Sequence, residues 1–326
     1  MDYLSQINIV LYAIKQLDIS KLVLKTETSE RTGVNFIINK NFQIFISNKE
    51  TILVNNEHMV DAEIFKIFFK TLENSSNINK IKLFLNKINI SIADDVCKYL
   101  EKSSLSNLTI TGSGMGDEYV IAIGQNLENN LNLRVLKMPN CQITQHGISV
   151  LANGLIKNNH LHKLILSSTQ HHDSNSVINL EHRNKIGGDG IKDLTNALRK
   201  NKTLEILGLQ NCQIDNNGFI AIADLIHEKC AIKDLDISEN FIDMNIFYKL
   251  MKSLKKNSTL EQLNLKNVLD YEYRRKKMHK SELKCFNSLK HNKTLKYLNL
   301  EHNFNSAKLK KKLNKVLRHK VVDVRI

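Results

Sequence analysis

This chain of 326 residues contains one proline, Pro139, and no tryptophan, and only 6% of it is aromatic. A single proline leaves no Pro-rich linker between modules. The shortage of large aromatics removes an aromatic binding platform. Cysteine is sparse too, at five residues, an odd count. Cys141 and Cys212 read as small buried side chains and not as disulfide halves, which points to an intracellular chain. No apolar run approaches the ~18 residues that a membrane span needs. Asp2 and Gln6 stand where a secretory leader would carry its basic and apolar regions, so no leader is expected. What is plentiful is apolar side chain, 42% of the residues, enough to build a core and to argue against disorder.

The apolar residues are spaced by rule. Leu204, Leu207, Leu209, Cys212 and Ile214 stand at positions 1, 4, 6, 9 and 11 of the pattern LxxLxLxxNxL. Ile232, Leu235, Ile237, Asn240 and Ile242 repeat it, and the starts at 204 and 232 lie 28 residues apart. Positions 4 and 6 share one face of a strand, because side chains alternate. Position 9 is Asn or Cys because a small polar side chain there can bond backbone groups where the chain turns inward. Behind it, Phe219, Ile222, Ala223 and Ile226 form a helical apolar stripe. A fixed period with this grammar resembles the leucine-rich repeats of the ribonuclease-inhibitor-like class, which pair one short strand with one full helix. The resemblance covers residues 48–326 and implies one right-handed α/β solenoid, a horseshoe of about ten strands. Strands stack at roughly 4.8 Å and helices need roughly 10 Å, so strands line the concave side and helices the convex. One repeat cannot bury its own apolar face; its neighbours must do it.

In chain order, residues 3–17 read as an amphipathic capping helix, with Ile19, Leu22 and Leu24 a degenerate repeat after it. Residues 34–47 alternate like a hairpin turning at Asn39-Lys40-Asn41. Residues 1–47 thus form an N-terminal cap ahead of the repeats at 48–326. Ile52, Val54 and Met59 open an irregular repeat backed by a helix at 60–73. Regular repeats start at Ile78, Leu105, Leu133, Leu161, Leu204, Ile232, Leu260 and Leu295, and Val321, Val324 and Ile326 close the sheet. The intervals from 161 to 204 and from 260 to 295 exceed 28 by 15 and 7 residues, which places insertions near 167–185 and 268–281. The repeat resumes after the first at Asn184-x-Ile186.

Charge is distributed unevenly. Residues 245–326 hold 22 Lys+Arg and 6 Asp+Glu, a net of +16, whereas the rest hold 25 and 27, a net of −2. The excess includes Arg274, Arg275, Lys276 and Lys277 in the second insertion, and Lys310, Lys311, Lys312 and Lys315 on a terminal helix packed by Leu309, Leu313, Val316 and Leu317. Such a patch would attract an anionic membrane, at about 1 kcal/mol per Lys near the surface. Specific nucleic-acid recognition is the weaker branch, with no Trp and few aromatics nearby beyond Tyr271 and Tyr273. The concave face, read from the positions around each strand, shows Lys80, Lys82, Phe84, Arg134, Lys137, Lys163 and Ile165 in the earlier repeats. In the later ones it shows Glu205, Asp234, Asp236, Glu239, Glu261, Tyr297 and Glu301, with Lys233, Lys266, Lys296 and Arg325 as exceptions. A basic-to-acidic gradient along the concavity follows, the kind of pattern that sets specificity and on-rate.

No cofactor, metal or catalytic group is expected. Gly112-x-Gly114-x-Gly116 lacks the Lys-Ser/Thr of a phosphate loop and reads as a turn. His160, His162, His171, His172 and His182 match no zinc ligand spacing. The activators of the small GTPase Ran resemble this fold and use a loop arginine; Arg183 is the one counterpart, with none of that family's motif around it. The expectation is a monomeric, non-catalytic scaffold that binds a protein on its concave face. Its rival is a protein associated with an anionic membrane or nucleic acid through the basic C-terminal quarter. Frequent Asn, Lys and Ile suggest an AT-rich genome, and the chain is similar to leucine-rich-repeat effectors of intracellular bacteria. That likeness implies delivery into the host cytosol and a host protein as partner.

Overall fold

The computed structural model of the protein describes residues 33–39, 42–47, 51–55, 69, 79–85, 91–112, 115–168, 182–228, 230–270, 282–304, 313 and 323–325. Twelve strands make one sheet in sequence order. They are β1 (Gly33–Asn39), β2 (Phe42–Ser47), β3 (Thr51–Asn55), β4 (Lys80–Leu85), β5 (Asn107–Thr111) and β6 (Val135–Lys137), then β7 (Lys163–Ile165), β8 (Ile206–Gly208), β9 (Asp234–Asp236), β10 (Gln262–Asn264), β11 (Tyr297–Asn299) and β12 (Asp323–Arg325). From β3 onward every pairing is parallel. β1 and β2 pair antiparallel, as do β2 and β3. The hairpin therefore continues the sheet across 47/48, and β3 to β12 are the ten strands expected of the repeats.

Between strands run α1 (Ser91–Lys102), α2 (Gly116–Leu127), α3 (Gln145–Lys157), α4 (Gly187–Lys200), α5 (Asn216–His227) and α6 (Met244–Ser253), each packed on the next. Parallel strands linked through helices, all helices on one side, make an α/β leucine-rich-repeat solenoid. The segment after β10 departs from the expected full helix, being a 3₁₀ helix at Glu282–Lys290. Its buried Phe286 and Leu289 are three residues apart, the spacing at which side chains of a 3₁₀ helix eclipse on one face. α2 and α3 come so close that a Cβ on Gly154 would stand 2.1 Å from the Gly124 carbonyl oxygen, so only glycine fits there.

Leu136, Leu164, Leu207, Leu235, Leu263 and Leu298 form one buried row, directly in register from strand to strand. Position 9 does what its size and polarity suggested. Asn240 Nδ2 donates to the carbonyls of Leu209 and Ile237, while its Oδ1 accepts the N–H groups of Cys212 and Ile214. Asn184 and Asn303 do the same in their own turns. The Cys141 and Cys212 thiols take that place in the repeats starting at Leu133 and Leu204 and bond carbonyls at 3.2–3.4 Å. Complete burial raises both thiol pKa values, that of Cys141 to about 12.

A second ladder, three residues before five of the repeat starts, has no counterpart among the sequence expectations. Asn130, Asn158, Asn201, Asn257 and Asn292 are all buried. Each reaches back to the end of the preceding repeat's helix. Asn158 donates to Leu127 O at 2.7 Å, Asn201 to Leu155 O at 2.8 Å and Asn257 to Ile226 O at 2.8 Å. Each Oδ1 accepts from the leucine three residues on, as Asn201 does from Leu204 N at 2.8 Å. Carbonyls in the last turn of a helix have no partner within it, and this ladder supplies one from the next repeat.

Candidate functional site

The outward face of the sheet is built by alternation. Either side of the buried leucine row, each strand turns one residue outward. The register aligns them in two rows. The first runs Lys80, Asn107, Val135, Lys163, Ile206, Asp234, Gln262, Tyr297, Asp323. The second runs Lys82, Thr109, Lys137, Ile165, Gly208, Asp236, Asn264, Asn299, Arg325. Most of these side chains are half-buried, hemmed in by neighbouring strands without being covered.

Of the concave residues expected from the sequence, Lys80, Lys82, Lys137, Lys163, Asp234, Asp236 and Tyr297 lie in these rows. Arg134, Glu205 and Glu261 stand one residue ahead of their strands. Glu239 and Glu301 fall in the turns that follow, Glu239 with a backbone φ of 57°. Asn107, Thr109, Val135, Ile206, Gln262, Asn264 and Asn299 were missed, although their repeat positions equal those of Lys163 and Lys137. These residues are all uncharged, so no charge pattern marks them in the sequence.

The electrostatics divide the face. Burial depresses the Lys137 pKa, and Lys163, Lys80 and Lys82 push it further down in that order. Four lysines thus act on one another across β4, β6 and β7. On the later strands the acids are engaged among themselves and their neighbours. Glu205 pairs with Lys233 and Glu261 with Lys296, both at 2.6 Å. Asp236 accepts from the Ser238 hydroxyl at 2.6 Å and from Asn264 Nδ2 at 2.9 Å. Arg325 lies over the Tyr297 ring, 5.5 Å from its centroid. Asp234 sits at the seam: burial raises its pKa, Lys163 lowers it and Asp236 raises it again.

Arg183, the arginine singled out in the first insertion, donates Nη1 to Asn211 Oδ1 at 2.7 Å. Gly116 turns the chain from β5 toward α2 at φ 62°, the conformation that favours glycine. Among the described residues no three His, Cys, Asp or Glu side chains gather as a metal site would require. No described helix is long and apolar enough to cross a membrane. His171, His172, Arg274, Arg275, Lys276, Lys277, Lys310, Lys311, Lys312 and Lys315 lie outside the described residues, as do the capping helix and the degenerate repeat at 19–24. Within the C-terminal quarter, a cleft of about 390 Å³ opens between α6 and the 3₁₀ helix, lined in part by Lys252, Lys255, Lys284 and His291.

No protein-family model matches the chain. Over 209 residues, 63% of this chain, it is 29% identical to the ribonuclease inhibitor of Sus scrofa, of which it spans 42%. Over 251 residues, 75% of this chain, it is 25% identical to a NACHT, LRR and PYD domains-containing protein (4B) of Mus musculus, of which it spans 27%. A solved protein of Bacteroides fragilis aligns with a TM-score of 0.42 and 13% identity, over 83% of this chain and 62% of that one. The chain therefore spans less than half the length of these two curated relatives. Repeat, sheet and relatives agree that this is a leucine-rich-repeat protein.

Proposed function

We propose that the chain is a non-catalytic scaffold that binds a partner protein across its concave face. One observation carries the reading: two continuous rows of side chains face outward from β4 to β12. Unlike the leucines between them, these residues do not recur from repeat to repeat, so stacking does not dictate them. The Sus scrofa relative supports it, since its name makes that protein an inhibitor of another protein, a ribonuclease. The setting proposed is intracellular, with the chain a monomer. A narrower form, an effector delivered by a bacterium into a host cytosol to bind a host protein, rests on the Asn-, Lys- and Ile-rich composition. Proximity labelling in a host cell names the partner. Capture of that partner should then be lost on Ile206→Arg or Gln262→Trp and kept on Lys192→Glu, on the exposed side of α4. Capture that survives both concave changes moves the interface elsewhere and ends the reading.

A second reading, attachment to an anionic membrane through the basic quarter, is favoured by the Lys252–Lys255–Lys284 cleft. Binding to anionic vesicles that persists after all three are changed to Glu would remove it.

A further inference from the structure

The two ends of the concave face are not equivalent, and the difference specifies what can dock there. On β4 to β7 the outward rows hold Lys80, Lys82, Lys137 and Lys163 and not one carboxylate. Neighbouring strands are ~4.8 Å apart and alternate residues of one strand ~7 Å. Lys80 and Lys82 are therefore ~7 Å apart along β4, and Lys82 and Lys137, two strands apart, ~10 Å. On β8 to β11 three nearby carboxylates have internal partners: Lys233 holds Glu205, Lys296 holds Glu261, and Ser238 with Asn264 holds Asp236, while Asp234 on β9 lies in the field of Lys163.

Building on the scaffold reading, we propose that the β4–β7 end of the concave face takes an acidic segment of the partner protein, its carboxylates seated on Lys80, Lys82, Lys137 and Lys163. Carboxylates on alternate residues of an extended chain recur every ~7 Å, which matches Lys80 and Lys82 along β4; Lys137 and Lys163 stand farther out, across the strands. Between the lysines stand Val135 and Ile165, apolar ground for the residues in between, and Asn107 and Thr109, which can bond a main chain. The two rows themselves carry no aromatic on β4 to β7, although Phe84 follows Lys82 by two residues on β4, so nucleic acid is kept as an outcome of the test. Burial first, and then repulsion from Lys163, Lys80 and Lys82, depresses Lys137; the repulsive share is a cost to the folded chain that an acidic partner would relieve.

The test uses the full chain and a labelled dodecapeptide of alternating Glu and Val, with a Lys/Val dodecapeptide and an oligothymidylate beside it. The Glu peptide should bind, weaken as salt is raised, and lose at least about tenfold in affinity on Lys137→Glu/Lys163→Glu. The neutral pair Lys137→Gln/Lys163→Gln should lose less, and Lys192→Gln, on the exposed side of α4, less than about twofold. Circular-dichroism melting confirms that each variant is folded. Glu-peptide affinity indifferent to both lysine pairs overturns the proposal. So does oligothymidylate binding tighter than the peptide and lost in the same variants, which would give the patch to nucleic acid. A labelled partner lost on Ile206→Arg yet indifferent to lysine reversal would sink the acidic assignment and leave the scaffold reading standing.

Discussion

Along the middle strands, the inward and outward residues obey different rules. Inward, leucine follows leucine from Leu136 to Leu298. Outward, the same strands carry Val135, Lys163, Ile206, Asp234, Gln262 and Tyr297, six residues with five chemistries. The inward face must fit a neighbour built like itself, so each repeat sets the same requirement for the next. The outward face meets no neighbour of its own, and its variety is where a partner can be specified. The buried asparagines belong with the leucines: they too recur, because each repeat leaves the same helix-end carbonyls to be satisfied.

Three changes would sharpen or break this contrast. The largest effect belongs to the inward row. Leu235→Ala should destabilise by about 2–5 kcal/mol in chemical unfolding, the range for emptying a fully buried leucine site. A smaller loss would mean that the stack relaxes around the gap and that inward identity matters less than claimed. Next comes the ladder. Asn201→Ala strands the carbonyls of Leu155 and Asn158 and the N–H of Leu204, and should cost about 1–3 kcal/mol. An unchanged unfolding midpoint would mean that water replaces the amide and that the ladder is incidental.

Smallest is the outward row. Lys137→Gln should alter stability at pH 7 by no more than about 0.5 kcal/mol, with any change toward greater stability. Its sign can be followed with pH. A lysine whose pKa is depressed in the folded chain binds fewer protons there than when unfolded. Its cost is present in full at low pH and fades as pH rises through the folded value toward 10.5. Melting at stepped pH should show that alkaline gain in the parent and less of it in the variant. A variant clearly less stable at pH 7 would assign Lys137 a structural role and blur the division between faces.

Much of the architecture was legible because its signals are local. The spacing of Leu204, Leu207 and Leu209 shows which side of a strand is apolar. The asparagine three residues before Leu133, Leu161, Leu204, Leu260 and Leu295 was also in plain sight. Its purpose was hidden, since its partners lie a repeat away, as from Asn158 to Leu127, 31 residues back.

Composition and periodicity by themselves determined a repeating α/β stack, its buried leucines and the Asn or Cys at most of its inward turns. Only the stacked sheet decided which charges act together. Glu205 meets Lys233 across 28 residues of sequence and Glu261 meets Lys296 across 35, while Lys137 gathers the fields of three lysines on β4 and β7. The reason is geometric: in a solenoid the nearest neighbour in space is the next repeat. Whether a formal charge is cancelled or left to act on a partner is settled between strands, where counting residues along the chain cannot reach.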